Sequence, residues 1–372
     1  YPYIPFMDSG IAGYWLVGDG EKSLYINPAG LVSSDLTWEK ASTFNIGLDF
    51  TMLNQRLDFS FDWYQRTTSD MLVKVEYPEV LGTTAPPANK AELRTRGWEV
   101  SVKWNDRIGN DFSYDLGFIL SDSQAEITKY ENLSGTLSDY YVGQKIGEIW
   151  GYETEGFYQS DTDVQNHADQ SKLGANWAPG DIMYKDLDGN KKINNGSNTL
   201  DDHGDLKVIG NTTPRYQYGI TANMSYKNVY LNVFFQGIGK RDFWPSSQPF
   251  WPVATQYYNT QKWFVTDSWS EDNRDAYFAR PIARETKNQQ KQTKYLQDAS
   301  YCRLKNLTVG YDFPKSWLSF LHVAKAGVYF SAENLFEFTN VKGAYDPEAA
   351  GKNGTMVYPF QRTYSFGLNV TF

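Results

Sequence analysis

Three observations predict an all-β chain that forms part of a transmembrane antiparallel β-barrel. Apolar and polar residues alternate with a period of two, short and long connections alternate along the chain, and aromatic residues gather at the ends of the alternating segments. The alternation begins at Phe44-Asn45-Ile46-Gly47-Leu48-Asp49-Phe50 and continues in Leu57-Asp58-Phe59-Ser60-Phe61-Asp62-Trp63. It returns in Trp98-Glu99-Val100-Ser101-Val102-Lys103-Trp104, in Tyr114-Asp115-Leu116-Gly117-Phe118 and over 216–224. Leu231-Asn232-Val233-Phe234-Phe235, Leu307-Thr308-Val309-Gly310-Tyr311, Val328-Tyr329-Phe330-Ser331-Ala332 and 364–372 complete the set. The expectation is about nine strands of about ten residues each, because helical periods are scarce.

The connections give the direction. Those at 52–55, 105–111, 227–228 and 314–325 are short, whereas 66–95, 123–214, 238–299 and 335–360 are long. An outer-membrane barrel places short turns in the periplasm and long loops outside the cell. The four long segments are therefore expected to be extracellular loops, with 1–43 a further extracellular segment and 44–372 the barrel portion. Phe44, Ile46, Leu48, Val100 and Val102 would face lipid. Asn45, Asp49, Ser60, Asp62, Glu99, Lys103, Asn223 and Asn369 would face a wet lumen. Phe50, Trp63, Tyr64, Trp104, Phe112, Tyr226, Tyr311 and Phe313 fall where interfacial girdles belong. A β-sandwich with one buried face gives the same alternation. A secreted carbohydrate-binding sandwich is therefore the alternative, and a passive porin-like barrel a third reading.

Composition narrows the classes. The 372 residues carry a formal net charge of −9, which disfavours nucleic acid. No apolar run is long enough for a transmembrane helix. The opening, Tyr1-Pro2-Tyr3-Ile4-Pro5-Phe6, lacks the basic and apolar regions of a signal peptide. One cysteine, Cys302, excludes an internal disulfide and Cys-based zinc sites. Nine strands are an odd number, and an open sheet would leave unpaired edges in lipid. The chain is thus expected to be the C-terminal part of a larger barrel, cut within an extracellular loop.

Seven segments in order resemble the C-terminal portion of SusC/RagA-type TonB-dependent transporters. They are Leu36-Thr37-Trp38-Glu39-Lys40 leading into 44–50, Arg96-Gly97-Trp98-Glu99-Val100, Ile149-Trp150-Gly151-Tyr152 running on to Phe157, Pro179-Gly180-Asp181 running on to Gly189, Val208-Ile209-Gly210-Asn211-Thr212-Thr213-Pro214, 301–311, and Ser331-Ala332-Glu333-Asn334-Leu335-Phe336. The resemblance implies a 22-stranded barrel, of which these are the last nine strands, in the outer membrane of a Gram-negative bacterium. It also implies an N-terminal plug and barrel portion upstream, and TonB–ExbB–ExbD acting through that absent part. A SusD-like surface lipoprotein would serve as lid, and oligosaccharides or oligopeptides would be imported.

Several residues stand out as site candidates. Trp150, Tyr152, Trp177, Phe243, Trp244, Phe250, Trp251, Tyr257 and Trp263 lie in the long segments. Flat aromatic faces suit sugars, a lid protein or the packing of their own loops. Asp186, Asp188 and Asn190 echo a calcium loop, with Asp201, Asp202 or Asp205 supplying the missing acidic ligand; the plain alternative is an Asp/Gly/Asn turn. A cofactor is otherwise not required. Phe372 resembles the terminal aromatic that marks barrel strands for assembly. No enzyme is expected, because His167, His203 and His322 show no metal-ligand spacing and no nucleophile elbow occurs.

Overall fold

The computed structural model describes all residues except 1–3, 17–21, 34–35, 75–85, 248, 254–259, 320–321, 344 and 351–359. Nine long strands carry the fold: β1 (Lys40–Met52), β2 (Leu57–Lys74), β3 (Pro87–Ile108), β4 (Phe112–Lys129), β5 (Arg215–Tyr226), β6 (Val229–Lys240), β7 (Tyr301–Asp312), β8 (Lys325–Thr339) and β9 (Thr363–Thr371). They form one sheet in which each strand pairs with its neighbours in sequence. The other sheets among the described residues have two strands each, so there is no second large sheet to make a sandwich.

Strand lengths depart from the expectation. β2, β4 and β3 run to 18, 18 and 22 residues rather than about ten. Their outer parts, beyond Trp63, before Trp98 and after Phe118, lose apolar–polar alternation because neither face there is wholly apolar. Hydrogen bonding between neighbours carries the ladder on where the side-chain pattern stops.

Register explains the alternation. Asn223 pairs with Asn232 and with Asp115, and Thr308 pairs with Asn232 and Ser331, so polar residues share one face. The Asn223 amide donates to Asp115 (3.2 Å) and accepts from Asn232 (2.8 Å), and Lys103 pairs with Asp115 at 3.1 Å. On the same face, Tyr230 lies across Gly310 and Tyr329 across Gly367. A Cβ at either glycine would come within 2.1 or 2.2 Å of the ring. The opposite face presents Phe44, Ile46, Leu48, Phe366 and Leu368, all exposed.

The turns obey local rules. Tyr226 faces Val229 across a two-residue turn with Lys227 at φ 54°, and Leu53, Asn54 and Gln55 take positive φ between β1 and β2.

The chain divides into two compact units. One comprises 1–44, 65–95 and 125–145: a hairpin pairing Ser9–Leu16 with Lys22–Ile26, together with the outer parts of β1 to β4. Within it, Lys40 pairs with Asp70 at 2.8 Å, and Asn89 both donates to and accepts from the Thr37 backbone. The other unit, 45–64, 96–124 and 146–372, holds the rest of the sheet, the β4–β5 connection from residue 146 on and the whole β6–β7 connection.

Candidate functional site

The second unit carries a dense side-chain assembly built from the β4–β5 and β6–β7 connections. Short strands give it a frame: Glu148–Tyr152 pairs with Leu206–Asn211, and Thr154–Phe157 with Ile182–Tyr184. Tyr152, Phe157, Ile182, Tyr184 and Ile193 from one connection pack with Phe250, Trp251, Phe264, Trp269, Phe278 and Tyr295 from the other. Phe250 and Phe278 rings lie 5.3 Å apart and Trp251 and Tyr295 rings 5.0 Å apart, both edge to face. Such pairs contribute about 0.5–1.5 kcal/mol each beyond the area they bury.

Asp181 is the polar hub of this core. Its side chain is fully buried and receives Arg280 Nε and Nη2, both at 2.8 Å, Asn288 Nδ2 at 2.9 Å and the Ala178 N–H at 3.0 Å. The buried Lys287 ammonium lies 3.0 Å away and also donates to the Ala175 and Asn176 carbonyls. Burial alone would raise the Asp181 pKa, but hydrogen bonds from Arg280, Asn288 and Lys287 outweigh it and hold the carboxyl below its ordinary value. The carboxylate therefore stays charged, and two connections distant in sequence are pinned together. Tyr184, buried beside them, is raised well above its ordinary pKa by desolvation, and its hydroxyl donates to the Lys287 carbonyl.

The aromatic candidates divide by burial. Tyr152, Phe250 and Trp251 are interior and pack within the core. Trp177, Trp244 and Trp263 lie partly buried against the same core. The Trp177 indole donates to the Gly174 carbonyl at 3.0 Å, and Trp251 donates to that of Pro245 at 2.6 Å. Phe243 sits in a smaller cluster with Ala299 and Ala350, its ring 5.4 Å from Tyr345. Trp150 stands apart beside His203, at 5.5 Å. Tyr257 lies outside the described residues. Phe372, one residue past β9, is 91 % exposed.

The acidic candidates also separate. Asp186 and Asp188 come within 4.8 Å of Asp205, whereas Asp202 turns away to accept from Ser197. Asp201 is exposed and lies outside that group of three. Asn190 Oδ1 accepts from the Lys192 N–H. Backbone N–H groups also donate to these carboxylates: Gly189 and Lys191 to Asp186, Asn190 to Asp188, Leu187 and Asn194 to Asp205. Lys191 takes φ 61° at the sixth loop position, where a calcium loop has glycine.

A second ionic centre lies on β7. Arg303, almost wholly buried, donates to Asp346 at 2.6 Å and Glu348 at 2.7 Å, while Lys305 reaches Glu348 at 3.0 Å. Both anchors, Asp181 and Arg303, fall in segments that stand out in the sequence, but their partners lie about 100 and 45 residues away, and spacing gives no sign of them.

A family model described as TonB dependent receptor-like, beta-barrel, matches residues 9–335. The chain belongs to the TonB-dependent receptor β-barrel family. Among its relatives, TonB-dependent receptor P3 of Formosa agariphila is 29 % identical over 96 % of the chain, and SusC of Bacteroides thetaiotaomicron is 27 % identical over 91 %. These matches take in 36 % and 32 % of the relatives, so the chain spans about a third of their length. The structure of the RagAB peptide transporter superposes with a TM-score of 0.73 at 22 % identity, covering 100 % of this chain and 39 % of that one. The open-open state of the RagAB peptide importer gives 0.74 at 23 %. The chain is thus similar to SusC in sequence and to RagAB in fold. Its nine-stranded sheet is barrel wall.

Proposed function

We propose that the protein containing this chain imports oligosaccharides or oligopeptides across the outer membrane of a Gram-negative bacterium, driven by TonB and assisted by a SusD-like surface lipoprotein. The observation that carries this reading is the family match over 9–335, joined to a nine-stranded sheet with one polar and one apolar face. In this reading the chain supplies barrel wall and extracellular loops. The connections at 146–214 and 241–300 form the mouth, against which the lipoprotein closes. Substrate would be captured at the mouth and released inward once the upstream plug is displaced. The sheet and loop core serve binding and passage, and no catalytic step is assigned to them.

The test is oligomer uptake by cells carrying the full-length gene, compared with cells lacking TonB or lacking SusD-like lipoproteins. Uptake is expected to stop without TonB and to weaken without the lipoprotein. Uptake that persists unchanged without TonB would leave a passive pore.

A further inference from the structure

Two lysines from different connections meet at one aromatic ring. Lys294 precedes β7 and Lys342 follows β8, and Tyr301 pairs with Thr339 across those strands, so both lysines stand at the same end of one strand pair. The Lys342 ammonium lies 4.2 Å from the centre of the Tyr277 ring, and that of Lys294 lies 6.0 Å from it and 4.3 Å from the Phe157 ring. Among the described residues neither lysine forms an ion pair; the nearest acceptor of Lys294 is the Ala276 carbonyl at 3.5 Å. Asp275 and Asp267 act on Lys294 only from beyond ion-pair distance.

The arrangement is held in place. Gln297, buried, accepts the Lys342 N–H at 2.7 Å and donates to the Tyr277 hydroxyl at 3.3 Å, tying ring and lysine backbone to one side chain. Tyr277 is fixed in turn by Trp263, whose ring stacks at 5.8 Å, and by the Asp267 carboxylate, which accepts its N–H at 3.1 Å. Among the described residues neither ammonium has a direct ion-pair partner, and each gives up water to lie on an aromatic face. Burial holds the Lys294 pKa below its ordinary value against the pull of Asp275, with Lys342 adding a smaller push in the same direction as burial and Asp267 a still smaller pull. An anion entering here would recover Coulomb energy from both lysines at once, on a frame that need not reorganise.

We propose that Lys294 and Lys342, gathered on Tyr277, receive a carboxylate of the incoming oligomer, so that the transporter favours acidic substrates. This rests on the import reading above. The shared chemistry is the carboxylate; an acidic peptide and a uronate glycan are its two sources. The test measures binding to the detergent-solubilised full-length transporter with its lipoprotein, by calorimetry. Triglutamate is compared with triglutamine, and trigalacturonate with its methyl ester.

At least one acid is expected to bind on the order of tenfold more tightly than its neutral counterpart. Whichever pair shows the preference names the source. Lys342→Gln alone, at an exposed position, should remove much of that preference, and Lys294→Gln with Lys342→Gln all of it. Neutral binding and melting temperature should stay unchanged. Equal binding of acid and neutral forms, binding of none of the four, or a preference that survives the double substitution would overturn the assignment. TonB-dependent uptake is scored separately, so import can stand while this inference fails, and the reverse.

Discussion

At Asp181, one carboxylate is matched to two cations and an amide inside an aromatic core. Removing its charge leaves Lys287 buried without a counter-ion, and loss of one member of such a pair costs about 3–5 kcal/mol. Asp181→Asn is therefore expected to loosen the loop assembly while the sheet persists, read as a loss of near-ultraviolet circular dichroism with the far-ultraviolet spectrum retained. The pH dependence has a definite sign. Because the folded pKa lies below the unfolded value of about 3.9, the stabilisation is complete above that value and is lost as pH falls through the folded one. Tryptophan fluorescence of the loops should thus stay constant from pH 7 to pH 5 and change only in stronger acid. Lys191 offers a change of the opposite kind. A non-glycine residue at φ 61° is strained, so Lys191→Gly should raise stability by up to about 1 kcal/mol, measured as a shift of the thermal midpoint. The three carboxylates nearby are already hydrogen-bonded by the backbone. Each oxygen keeps a second lone pair, so chelation of divalent cations is the direct check: an unmoved midpoint would show that no ion binds there, and a fall reversed by calcium would show that one does.

The strands of the sheet are plain in the sequence wherever one face is apolar and the other polar. Phe44 to Phe50 and Tyr364 to Phe372 can be placed from their residues alone, as can the turn at Lys227. The outer halves of β2 and β3 cannot, since their hydrogen-bond partners lie on other strands and their side chains keep no period. Nor can the exchange of partners inside the long connections, where Asp181 meets Arg280 and Arg303 meets Glu348. The aromatic candidates show a further limit: composition marks Phe250 and Trp251 as important, but burial depends on the fold that surrounds them. Within the sheet, Tyr230 over Gly310 and Tyr329 over Gly367 act as interlocking pairs. Gly310→Ala would drive the ring off its neighbour, and overpacking of this kind costs about 1–3 kcal/mol. The expected readout is a lower temperature for the mobility shift of the folded full-length protein on gels.

For the molecule as a whole, sheet and loop core rest on different physics. The sheet is held by hydrogen-bond ladders between a polar and an apolar face, the loop core by aromatic packing around one buried charge centre. Perturbing the second should spare the first. Replacing residues 262–299 of the full-length protein by a short flexible linker is expected to abolish the environment of Trp177 and Tyr184 while the sheet keeps its heat-resistant mobility. Simultaneous loss of both would show a single cooperative structure.

The shared core also bears on how such proteins diversify. Because 146–214 and 241–300 each supply half of one interior, neither can be inherited from a different ancestor without the other. Exchange between relatives should move the two together, leaving the hairpins of β1 to β4 free to vary on their own schedule.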